Sequence, residues 1–266
     1  FSILGTAPIF CDLTYSMALT PEQKNKFERD GFLVYGSILE EDELQTLSDR
    51  IDAIASGEKE IAGGHIKLEA AAQRGELDDV KPIDRVWQIH DAFRSDDVIM
   101  ATCSNPRILD VVEELLGPNL KLFSDQTLMK PARHGSKIEF HQDSIYWPIE
   151  PYELVSCWLA MDDTTIENGC MELIPGSHRW GIIPHRGDRR LSIDEKTSAS
   201  AVPAEVPAGG CCFHHSLTLH RSQSNRSARR RRAISMTYMR AESTYMKDSE
   251  DSDYPLLRGR EFAGCI

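Results

Sequence analysis

The 266 residues are 41% apolar and 27% charged, enough for a globular chain with a substantial core. Forty-two acidic against 30 basic residues give a net charge of −12, a field that opposes non-specific binding to nucleic acid or anionic lipid. No apolar run nears the roughly 20 residues of a membrane span. The 7 scattered cysteines form no CxxC pair, which argues against a disulfide framework or a structural zinc site and for free thiols in a reducing, cytoplasmic setting.

Residues 1–16 lack the basic start and long apolar stretch of a secretory signal, and Met17 reads as a natural start. They are expected to lie outside the fold, with 17–266 forming one domain. Thr20-Pro21-Glu22-Gln23 has the pattern of a capped helix start, and Gly31 is placed to end that helix before a strand over Phe32–Tyr35. A second helix is predicted over about 40–56, with Leu44, Leu47, Ile51 and Ile54 on one face. Residues 58–83 are polar, contain Gly63-Gly64 and show no period, so they are expected to form a mobile loop or lid; 186–200 is a second candidate lid. A third helix is expected over Asn105–Leu116, stopped by Gly117-Pro118.

Beyond Pro118 the texture changes to short apolar runs at 120–129, 137–141, 153–161, 170–174, 211–219 and 231–239, separated by turn residues. The fold class expected is mainly β with flanking helices: a helical part to about 118, a double-stranded β-helix (jelly-roll, cupin-like) core over about 119–240, then a C-terminal tail.

His141-Gln142-Asp143 carries the chemistry. On a strand, residues i and i+2 share a side, so His141 and Asp143 can converge on one ion. His220 is the best third ligand. Two imidazoles and one carboxylate on one face of an octahedron leave positions open for co-substrate and O2, the pattern of non-haem Fe(II) oxygenases. The plain structural reading of an isolated HxD is a strand-end His bonded to its neighbour. Arg231, 11 residues after His220, lies within Arg229–Arg232 and leads into the apolar run Ala233–Met239. At period two one arginine faces inward, where it can grip a carboxylate, while Arg230 and Arg232 face out. The alternative for four arginines is a solvated basic patch, which the net charge disfavours as a nucleic-acid contact.

With Phe140–Asp143, Trp158, Glu167-Asn168-Gly169-Cys170, Pro175–His178 and the stretch His220–Ala233, the chain resembles the phytanoyl-CoA dioxygenase family of Fe(II)/2-oxoglutarate oxygenases over most of its length. The resemblance implies that His141, Asp143 and His220 bind iron and that Arg231 holds the far carboxylate of 2-oxoglutarate, with Ser222 contacting the same group. It also implies that Gln142 and Trp158 line the co-substrate and substrate pocket, that Gln126 occupies a further pocket position, and that Arg85 or Gln88 supplies a polar anchor. The implied activity is hydroxylation of a small organic molecule using O2, with release of succinate and CO2. Asp143 favours hydroxylation over halogenation, since related iron halogenases lack this carboxylate. Arg221 departs from the glycine common after the distal histidine. His214, His215 and His178 read as core, rim or turn histidines. The rivals are a cupin-type metalloenzyme that does not use 2-oxoglutarate, and a catalytically silent sensor of iron and 2-oxoglutarate.

Overall fold

A computed structural model describes residues 19–184, 191, 193–246 and 253–266; the expectation for residues 1–16 lies outside them, as does much of the proposed 186–200 lid. Thr20 caps helix α1 (Pro21–Asp30) in a complete capping box with Gln23, and Gly31 ends it at φ 80°, a conformation that L side chains resist. That turn feeds strand β1 (Phe32–Ser37). Helix α2 (Glu41–Ser56) buries Leu47, Ile51 and Ile54 as its period predicts.

Segment 58–83 is not a structureless lid. It holds strand β2 (His65–Leu68) and the short helix α3 (Ala70–Gln73), and β2 pairs with strand β3 (Val86–His90). All residues of β2 are exposed, and the alternation His65-Ile66-Lys67-Leu68 is too short to stand out in the polar stretch around it. Helix α4 (Asp97–Cys103), capped by Asp96, and helix α5 (Pro106–Leu116), capped by Asn105, complete the helical part.

The β region contributes β4 (Leu120–Lys130), β5 (Ile138–His141), β6 (Ile149–Glu150), β7 (Val155–Ala160) and β8 (Met171–Leu173). After helix α6 (Glu195–Ala199) come β9 (Val202–Ala204), β10 (Gly210–His215), β11 (His220–Ser222), β12 (Arg231–Arg240), β13 (Thr244–Tyr245) and β14 (Leu256–Arg258). The apolar run 211–219 is therefore not one strand. The amide of Thr218 donates to the carbonyl of His215 (2.8 Å), and this turn carries the chain from one sheet to the other.

The larger antiparallel sheet has the order β1-β10-β7-β12-β4-β3-β2, with β14 also on β4; the smaller has the order β5-β11-β8-β9. Together they make the jelly-roll core. Period-two alternation divides the larger sheet's residues between two cores. Val155, Cys157, Leu159, Ile234, Met236 and Tyr238 join one cluster with Leu47, Ile51, Ile99, Ile108 and Val112 of the helices. Trp158, Ala160, Cys212 and Ala233 pack instead with Met171 and Leu173 of the smaller sheet.

The arginine run obeys the same alternation. Arg230 (2.5 Å) and Arg232 (2.8 Å) both reach Asp52 of α2, and Arg232 also pairs with Asp162 at 2.7 Å. Arg231 points the other way and is buried. Among the described residues no helix is long and apolar enough to cross a membrane.

Candidate active site

His141 ends β5 and His220 begins β11, and the two are direct cross-strand partners. Gln142 keeps an extended backbone (φ −112°, ψ 134°), so Asp143, which opens the following 3-10 turn, lies on the same side as His141. The Nε2 atoms of His141 and His220 lie 3.6 and 3.7 Å from Oδ1 of Asp143. One ligand atom from each of the three residues lies within 4.8 Å of the others. Adjacent ligands at about 2.1 Å from a cation stand roughly 3 Å apart, so a small contraction closes this face on an ion.

The protonation pattern suits a divalent cation. Nδ1 of His141 is 2.9 Å from the carbonyl of Glu139, and Nδ1 of His220 is 2.9 Å from that of Thr218. A carbonyl only accepts, so both Nδ1 atoms carry the proton and the lone pair of each imidazole sits on Nε2. Burial, with His141 beside it, pushes His220 down to about 3, so the ring is neutral. Burial pushes the Asp143 carboxyl up, but the neighbouring imidazoles of His220, His214 and His141 outweigh it and hold the group ionised, below the usual carboxylate range.

His214, expected as a core or rim residue, is buried and touches the site. Its Nε2 lies 3.1 Å from Oδ2 of Asp143. The carboxylate accepts, so His214 donates, and Oδ1 alone remains turned toward the two ligand imidazoles.

A cavity of about 680 Å³ opens beside these residues, lined in part by Arg231, Ser222, Trp158 and Gln126. Arg231 is only 1% exposed. Its Nη2 donates to the carbonyl of Gly169 at 2.8 Å, while Nε and Nη1 have no partner. The guanidinium lies 5.4 Å from the Trp158 ring centroid. Burial pulls Arg231 down to about 10, which leaves it charged at neutral pH. A buried cation with two unanswered donors on a cavity wall is an arrangement that a carboxylate completes.

Other expectations need correction. Gln142 does not line the cavity. Its Nε2 donates to the carbonyls of Gly181 (2.8 Å) and Leu217 (2.9 Å), and its Oε1 accepts from the amide of Ile183 (2.8 Å). The alternation that sends His141 and Asp143 inward sends Gln142 outward, where it ties loops behind the site. Of the pair Arg85 and Gln88, Gln88 lines the cavity, whereas Arg85 is bound to the carbonyls of Val80 (2.8 Å) and Asp78. Arg221 does reach the cavity, but Glu172 neutralises it, Ser198 Oγ accepts from it at 3.1 Å, and it stacks 4.4 Å over Phe140. Nδ1 of His215 accepts from the amide of Leu217 (3.1 Å), a turn role.

Lys130 had no signal in the sequence beyond being a lysine at a strand end. It is the cross-strand partner of Arg231, only 2% exposed, and lines the same cavity. Its ammonium donates to the carbonyl of Ser136. Burial and the Arg231 charge push it down to about 7, against a smaller opposing pull from Glu69.

Known proteins match the chain over most of its length. The phytanoyl-CoA dioxygenase (PhyH) family matches residues 27–233. The peroxisomal phytanoyl-CoA dioxygenase of Mus musculus is 30% identical over 230 residues, covering 82% of this chain and 67% of that protein. L-proline trans-4-hydroxylase of Streptomyces griseoviridis is 27% identical, covering 84% of this chain and 87% of that one. Among solved structures, the apo form of the non-heme monooxygenase ThoJ superposes with a TM-score of 0.72 at 28% identity, over 92% of this chain and 86% of that one. Matched over most of its length, with the His141, Asp143 and His220 cluster and the buried Arg231 lining one cavity, the chain belongs to the phytanoyl-CoA dioxygenase family.

Proposed function

We propose that the chain is an Fe(II)- and 2-oxoglutarate-dependent dioxygenase that hydroxylates a small organic molecule, with release of succinate and CO2. His141 and His220 would hold iron through Nε2 and Asp143 through Oδ1. Arg231 takes the far carboxylate of 2-oxoglutarate, with Lys130 beside it on the larger sheet, Ser222 reaching the same cavity from the smaller sheet, and Trp158 and Gln126 also lining it. The observation that carries this reading is the pairing of a three-ligand face with a buried, half-satisfied arginine in one cavity. A cupin-type metalloenzyme without 2-oxoglutarate has no use for that arginine.

When bound, iron and 2-oxoglutarate supply the oxidising power for attack on an unactivated C–H bond. The chain's own residues set the geometry. Glu139 and Thr218 carbonyls fix the two imidazoles, His214 engages the second oxygen of Asp143, and a set of three protein ligands leaves room for the co-substrate. Trp158 and the packed sheet behind it keep water from Arg231. The relatives named as hydroxylases act on small molecules, which supports the substrate class.

The test is turnover. Purified protein with Fe(II), ascorbate and 2-oxoglutarate should release succinate, and Asp143→Ala should abolish it while remaining folded. Equal release by wild type and Asp143→Ala would contradict the assignment.

A further inference from the structure

The cavity has a second polar corner that the iron and 2-oxoglutarate do not use. Lys67 on β2 and Gln88 on β3 are direct cross-strand partners, and Leu128 of β4 stands opposite Gln88. Side chains so paired emerge on one face of the sheet about 5 Å apart at Cβ. Both residues line the cavity. Among the described residues Lys67 makes no ion pair, in a chain whose net charge is −12.

Gln88 is oriented by its neighbour. Its Oε1 lies 3.1 Å from Nε2 of His90, and His90 is stacked on His65 at 4.4 Å and 5°. Burial, then the charge of Lys67 and the ring of His65, push His90 down to about 4, so the ring is neutral. With the carboxamide oxygen answered by the His90 N–H, the amide N–H2 of Gln88 is the group left for a ligand. An ammonium-bearing and an amide-bearing side chain therefore stand side by side on the cavity wall.

This spot is not the arginine end of the cavity. Strands stand about 4.8 Å apart, which puts the backbones of β3 and β2 about 10 and 14 Å from that of β12 across the sheet, so Lys67 starts three strands away from Arg231. The acidic groups nearby do not cancel the charge. Asp125 turns its carboxylate to the helical side, where it accepts from the amide of Phe93 at 2.8 Å, and Asp91 and Arg94 have partners of their own. Phe123, Trp147 and Tyr254 line the cavity as one aromatic cluster, with ring centroids 5.1 and 5.3 Å apart.

We infer that the substrate is an anion with an apolar body, and that Lys67 and the Gln88 amide seat its carboxylate or phosphate while the aromatic cluster holds the rest. This rests on the iron and 2-oxoglutarate reading of the site. The probes are octanoate, octyl phosphate, octanamide and octylamine, titrated anaerobically into protein carrying Fe(II) and 2-oxoglutarate. The readouts are the shift of the visible chelate band and equilibrium dialysis. One or both anions should bind at least about tenfold tighter than octanamide, and their order separates carboxylate from phosphate. Lys67→Met, a change on an exposed strand, should erase that preference with the 2-oxoglutarate affinity unchanged, and Lys67→Glu should favour octylamine instead. Equal binding of acid and amide, binding of none of the probes, or a preference that survives Lys67→Met overturns the inference. So does a Lys67→Met protein that loses 2-oxoglutarate itself, because the pair would then serve the co-substrate. A wild-type protein with no chelate band at all would instead overturn the reading on which it rests.

Discussion

His214 engages Asp143 as the Glu139 and Thr218 carbonyls engage the imidazoles: each takes the atom turned away from the proposed metal position. Losing such a partner typically costs 10- to 100-fold in metal affinity. His214→Ala should therefore weaken Fe(II) binding by about that factor in an anaerobic titration, and His214→Gln, which retains a donor, should recover much of it. Unchanged affinity in His214→Ala would remove the residue from the site. Lys130 makes a pH-dependent prediction. Its folded value of about 7 lies below the usual lysine range, and a dianion beside it favours the protonated form. Below pH 7 the charge is already present; above it, binding must take up a proton, so 2-oxoglutarate affinity should fall as pH rises from 7 to 9. Lys130→Met should bind more weakly at pH 6 and show a flatter profile. Residues of this kind were not legible in the sequence. His214 and Lys130 acquire their roles through register with Ser156 on β7 and Arg231 on β12, and no local pattern encodes such pairings.

Among the elements, the helices and long strands announced themselves because one face of each is apolar. α2 and α5 follow the 3.6 period, and β4, β7 and β12 carry sustained apolar runs. The elements that escaped are short: β2 and β3 have four and five residues, α4 has seven, and β11 has only three although it carries His220 and Ser222. Gln142 is instructive, since the alternation that correctly paired His141 with Asp143 already excluded it from their side. The helical layer and the site occupy opposite faces of the larger sheet, so they should be separable. Ile51→Ala, at a fully buried position in α2, should cost about 2–5 kcal/mol in denaturant unfolding and leave 2-oxoglutarate affinity unaltered. Asp52→Ala removes the carboxylate shared by Arg230 and Arg232 and should cost about 1–3 kcal/mol, again without effect on binding. A large loss of 2-oxoglutarate affinity in either variant would show that the two faces are coupled.

For the molecule as a whole, the candidate binding groups collect between the two sheets, His141, His220 and Ser222 from the smaller and Arg231, Lys130, Trp158 and Lys67 from the larger, with cations at both ends of the cavity of an otherwise acidic chain. The four arginines 229–232 illustrate the division of labour. Arg230 and Arg232 tie a helix to the sheet, Arg231 is available to a ligand, and the run needs no nucleic-acid partner to explain it. Ligands that bind only the folded state raise its stability by mass action, about 2.7 kcal/mol at 100 times the dissociation constant. Fe(II) and 2-oxoglutarate together should therefore raise the melting temperature of wild type, and His220→Ala should show no such rise. The most direct test is an anaerobic titration of the metal-free protein with Fe(II) and then 2-oxoglutarate, following the weak visible charge-transfer band of the chelate. A band that disappears in His141→Ala and needs at least about 30-fold more 2-oxoglutarate in Arg231→Met, a loss of about 2 kcal/mol, is the predicted result. A folded, iron-loaded protein that shows no band at any 2-oxoglutarate concentration would contradict it.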